Sequence, residues 1–86
     1  MKAVIVKKVR MQTSPQFVLI VKRGNFYCLH VIGIAVDLDA GDELSSDAER
    51  RGVWRMSRTG ELYQGNFIPN FSLSEAEEAL CQLVNS

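Results

Sequence analysis

The chain has 86 residues, 47% hydrophobic and 23% charged, with ten basic and ten acidic side chains that cancel to a formal net charge of zero. That length points to a single domain, residues 1–86, without a spare regulatory module, and the composition is that of an ordinary globular protein rather than a disordered chain. Zero net charge also argues against a protein built mainly to grip phosphate backbones, which would be clearly basic.

"MKAVIVKKVR" has an apolar run too short for a signal-peptide core, and Lys7, Lys8 and Arg10 cut it off. Residues 3–11 instead predict a first strand, rich in β-branched Val4, Ile5 and Val6 and stopped by Pro15. Residues 16–23 and 26–36 predict a hairpin about Gly24-Asn25, a pair suited to a II′ turn because Gly takes a positive φ without steric cost. A two-residue turn makes cross-strand partners sum to 49. Phe17, Leu19 and Val21 then face Ile32, His30 and Cys28, while Val18, Ile20 and Lys22 face Val31, Leu29 and Tyr27. Both faces are apolar except at the turn end. Gly33 suggests a bulge or a close backbone approach.

Residues 37–52, "DLDAGDELSSDAERRG", form a polar connector. Ser46 with Glu49 fits a capping box for a short helix stopped by Gly52, and a solvated loop fits as well. Residues 53–58 predict a fourth strand with Trp54 and Met56 on one side and Arg55 on the other. After a turn at Thr59-Gly60, residues 61–68 predict a fifth strand, ended by Pro69. The last element is an amphipathic helix. Ser72 is its N-cap and Glu75 its third residue, Glu77 and Glu78 lie near its positive end, and Leu73, Ala76, Leu80, Leu83 and Val84 share one face.

The expected fold is therefore α+β, a five-stranded antiparallel meander in the order β-β-β-loop-β-β-α. Five strands about 4.8 Å apart make a sheet about 24 Å wide. One helix about 10 Å across hides about half of one face. The second apolar face of the hairpin needs cover, because four exposed aliphatic side chains forgo about 1.5–3 kcal/mol each. Either the sheet curls into a half-barrel or a second copy packs on it. A twofold dimer is the expectation, with Val18, Ile20, Leu29 and Val31 as the seam.

Charges come in blocks. Lys2, Lys7, Lys8, Arg10, Lys22 and Arg23 precede residue 37 with no acid among them. Asp37, Asp39, Asp42, Glu43, Asp47 and Glu49 come next, then Arg50, Arg51, Arg55 and Arg58. The acidic connector either lies over the chain's own basic strands or, through Asp37, Asp39, Asp42 and Glu43, docks a partner of opposite sign.

Chemistry is sparse. "DLDAGDEL" lacks the order of an EF-hand loop: counting from Asp37, the fifth and sixth positions are Gly41 and Asp42, and the twelfth is Ala48. Cys28 and His30 point the same way on a strand, and with Cys81 they could supply three zinc ligands or a thiolate pair. Both cysteines sit in apolar segments, however, and read as reduced core thiols of a cytoplasmic protein. His30 reads as a buried, neutral residue. Trp54, Tyr63 and Phe67 read as core fillers.

No nucleophile elbow, phosphate-binding glycine loop or zinc finger is present. The expected function is that of a small non-enzymatic interaction module without metal or cofactor, a homodimer that occupies a partner's surface, as phage or mobile-element accessory proteins do. The alternative is a nucleic-acid binder using Lys7, Lys8, Arg10, Lys22, Arg23 and Tyr27. A third reading is a small-ligand pocket under the helix near Trp54, His30 and Cys28.

Overall fold

The computed structural model describes residues 2–47, 49–67 and 70–85. Among them run β1 (Lys2–Arg10), β2 (Gln16–Arg23), β3 (Phe26–Gly33), β4 (Glu43–Ser46), β5 (Val53–Met56), β6 (Leu62–Gln64) and the helix α1 (Leu73–Val84). The strands form one antiparallel sheet in the order β3-β2-β1-β4-β5-β6. The class is the expected α+β. The strand count is six, and the connection after β3 crosses to the far side of β1.

The β2–β3 hairpin has the register expected of a two-residue turn, with Phe17 opposite Ile32 and Lys22 opposite Tyr27. Gly24 has φ +64° and no non-glycine residue among those described has positive φ, which is the II′ pattern. Gly33 ends β3 rather than bulging, and its carbonyl accepts the Val36 N–H at 3.2 Å as the chain turns away. The bulge lies in β1 instead. Ile5 pairs with Val21 and Lys7 with Ile20, so Val6 is the extra residue. It reverses the alternation of side chains along β1. Ala3 and Ile5 enter one core, and beyond the bulge Val9 packs on the other face.

The polar connector contains β4 where a short helix or a loop was expected. Leu44 is buried opposite Met56 and points into the same core as Ala3. Ser46 is a strand residue, and the turn belongs to Asp47, whose Oδ1 accepts the N–H groups of Glu49 and Arg50 at 2.8 and 3.3 Å. The fifth predicted strand shortens to Leu62–Gln64, and its expected end at Ile68 and Pro69 lies outside the described residues.

Two cores answer the problem of the doubly apolar hairpin. On the concave side Leu19, Val21, Cys28 and Ile32 pack with Ile5, Leu38, Leu44, Trp54, Met56 and Phe67. On the other side Val18 and Ile20 pack with Ala76 and Leu80 of α1, flanked by Val9, Leu29, Phe71 and Val84. The sheet is a curled half-barrel with the helix on its outside. The expected seam is corrected accordingly: Val18 and Ile20 are fully buried under the chain's own helix, Leu29 is half-buried beside it, and only Val31 is exposed.

The helix begins as its sequence predicts. Ser72 Oγ accepts the Glu75 N–H at 3.4 Å and Glu75 Oε1 accepts the Ser72 N–H at 3.0 Å, a reciprocal capping box. At the other end Val84 O accepts the Gln12 N–H at 3.4 Å, and Gln12 Nε2 donates to Asn85 Oδ1 at 3.2 Å. The apolar stripe is narrower than its spacing suggests. Ala76 and Leu80 are buried, whereas Leu73, Leu83 and Cys81 are exposed.

Candidate functional site

The half-barrel closes through side chains. His30 on β3 meets Tyr63 on β6, at opposite ends of the strand order, by a 2.6 Å hydrogen bond between Nε2 and Oη. Phe67 packs edge-on against His30 and stacks on Tyr63. Gly65 is required there, since a Cβ would stand 2.9 Å from the Tyr63 ring and 3.3 Å from the His30 ring. Burial lowers the His30 pKa from its usual value and raises that of Tyr63. Cys28, on the same side, is pushed up to about 11, chiefly by burial, and is an unreactive thiol at neutral pH. Cys81 is exposed on the helix, across the sheet from Cys28 and His30. The three therefore do not converge, and the expectation that Cys81 is buried is corrected.

The acidic connector folds onto the chain's own cations. Arg58 Nε and Nη2 donate to the two carboxylate oxygens of Asp42 at 3.0 and 2.9 Å, and Nη1 and Nη2 reach those of Asp37 at 3.3 and 3.1 Å. Lys8 Nζ donates to Asp39 at 2.8 Å. The hydrogen bonds from Arg58 hold the Asp42 carboxyl below the usual range. Of Asp37, Asp39, Asp42 and Glu43, the first three are thus engaged within the chain. The fourth is an exposed strand residue on β4.

The basic residues expected to form one nucleic-acid surface are split by the pleat. Lys7 and Lys22 lie opposite Ile20 and Tyr27 on the helix side, while Lys8, Arg10 and Arg23 lie opposite Leu19, Phe17 and Phe26 on the concave side. No continuous basic track results. Nor does a pocket near Trp54, His30 and Cys28 lie under the helix, because these residues belong to the concave core.

Two surfaces remain as candidates. One is a cleft of about 410 Å³ between the β4–β5 turn and residues 65–67, lined by Arg23, Arg50, Arg51, Trp54, Asn66 and Phe67 among others. Sequence reasoning missed it. Its signal was the pair Arg50-Arg51 before Gly52, which sits on a hairpin turn only once β4 is recognised.

The other is the free edge of β3. The Tyr27 N–H and C=O bond to Phe71 at 2.9 and 3.0 Å, so the backbone groups of Tyr27 point away from β2. By antiparallel alternation those of Leu29 and Val31 do too. No backbone partner meets them among the described residues. Val31 is 40% and Ile34 59% exposed. Every side chain from Phe26 to Gly33 is uncharged at neutral pH, so the edge carries none of the lysines or prolines that usually protect one.

No protein-family model matches this chain, no curated protein matches its sequence, and no solved structure matches its fold at a significant level. No helix among the described residues is long and apolar enough to cross a membrane.

Proposed function

We propose that this chain is a non-enzymatic interaction module that works as a twofold homodimer, joined antiparallel along the edge of β3. The observation that carries the reading is the open, uncharged stretch Leu29–Val31. An antiparallel strand pair has a twofold axis, so an edge can complete its own hydrogen bonding with a second copy. An axis at Val31 sets Val31 opposite its counterpart and Leu29 opposite Gly33, whose carbonyl takes the Leu29 N–H as a second bond beside that of Val36, and Tyr27, already bonded to Phe71, stays outside the pairing. No charged side chain of β3 meets its like across the axis. Exposed Val31 and Ile34 add apolar area. The paired sheets form one continuous surface that a further protein partner can engage.

Mass-resolved size exclusion over a concentration series tests this, with Val31→Pro as the variant. Proline removes the outward N–H and is tolerated on an edge strand where that N–H has no internal partner. The wild type should shift from monomer to dimer as concentration rises, and Val31→Pro should stay monomeric with an unchanged circular dichroism spectrum. A wild type that is monomeric throughout contradicts the proposal.

A further inference from the structure

The geometry points to the cleft between the β4–β5 turn and residues 65–67 as a binding site for the phosphate group of a small phosphate monoester. Its volume of about 410 Å³ is that of a small-molecule site. Three guanidinium groups line it against one carboxylate, Asp47, leaving two unbalanced positive charges, the complement of a monoester dianion. A simple carboxylate carries half that charge.

The cationic groups are held in different ways. Arg23 Nη1 donates to the Phe67 carbonyl at 2.7 Å, and its guanidinium lies over the Trp54 ring at 5.3 Å from the centroid, so its plane is fixed. Arg50 is oriented by Asp47, with Nε and Nη2 at 3.2 and 2.9 Å from Oδ2. Arg51 makes no hydrogen bond or ion pair among the described residues and is exposed at the mouth. It is the group free to close on an incoming oxyanion.

The two walls are tied together by a hydrogen bond. Trp54 Nε1 donates to the Gly65 carbonyl at 2.9 Å. Gly52 has φ +78°, a left-handed backbone conformation that favours glycine, and it brings the turn within 3.0 Å of Asn66 Oδ1 as measured from where a Cβ would stand. Trp54 and Phe67 are 3% and 1% exposed and offer no open ring for a base to stack on. The cleft therefore recognises the phosphate rather than a base, and the basic residues outside it do not continue it as a nucleic-acid track.

Trp54 is the sole tryptophan, so its indole N–H resonance reports directly on the cleft wall. Inorganic phosphate and adenosine 5′-monophosphate should each shift it saturably, and adenosine should not. Arg51→Ala should weaken phosphate binding by about tenfold or more, the worth of a charge-assisted hydrogen bond, at an unchanged melting temperature. Arg10→Ala removes an equal charge elsewhere and should leave binding intact. Arg51→Gln serves as a second variant if the alanine form is unstable. Absence of a saturable shift overturns the site, as does equal weakening by the Arg51 and Arg10 variants. A single-stranded oligonucleotide that binds far more tightly than the monophosphate, through Lys7 and Lys22 as well, would make the protein a nucleic-acid binder instead.

Discussion

His30 is the residue on which the closure of the half-barrel turns. A two-residue turn places it opposite Leu19, on the face that becomes the concave core, and burial there favours the neutral ring. Its folded pKa thus lies below the unfolded value of about 6.5. The contribution of the neutral ring to stability is complete above that value and is lost as pH falls from it towards the folded pKa. Urea midpoints across this range should decline with acidity, and His30→Gln should flatten the decline; a midpoint independent of pH between 7 and 5 would show that His30 titrates as a free histidine. Its partner gives a second test. Tyr63→Phe keeps the ring against Phe67 but removes the 2.6 Å bond, and should cost about 0.5–1.5 kcal/mol in chemical denaturation. Asp42 acts in a more acidic window. Its pKa is lowered by Arg58, so its contribution is present above about 3.8 and lost below it as the folded pKa is crossed.

At the scale of elements, legibility depended on whether local chemistry or a neighbour makes the structure. Gly24-Asn25 fixes its own turn and hence the hairpin register, and Ser72 with Glu75 fixes the start of α1; both could be read from the residues alone. β4 could not. "ELSS" has one buried side chain, Leu44, and becomes a strand because β1 and β5 flank it with hydrogen-bonding edges. The bulge at Val6 was equally hidden, since an inserted residue leaves no mark in a run of β-branched and basic side chains. Missing these two features concealed the basic cleft and left the curl as one of two alternatives beside the dimer. The cap is the element best suited to a direct test: Ser72→Ala should lower stability by about 1 kcal/mol, measured by urea denaturation, with Ser74→Ala as a control of smaller effect.

For the whole molecule, the central matter is how so short a chain covers a hairpin that is apolar on both faces. It does so by curling the sheet around one face and laying α1 along the other, with no second copy needed at Val18 or Ile20. Ile20→Glu should therefore prevent folding, because a carboxylate in that position is fully buried without a partner. Lys22→Glu, on the same face but exposed, should fold normally; circular dichroism separates the two. A folded, soluble Ile20→Glu monomer would mean that α1 does not occupy this face. What the fold leaves unfinished is the edge of β3, where assembly would complete the sheet.

Amide hydrogen exchange at low and high protein concentration tests that edge most directly, residue by residue. Tyr27, bonded to Phe71 within the chain, should be protected at every concentration. Leu29 and Val31, whose outward N–H groups meet no backbone partner among the described residues, should exchange freely in dilute solution and gain protection as concentration rises if a second copy pairs there. If those two amides stay unprotected at all concentrations while Tyr27 is protected, β3 does not pair and the proposed homodimer is wrong.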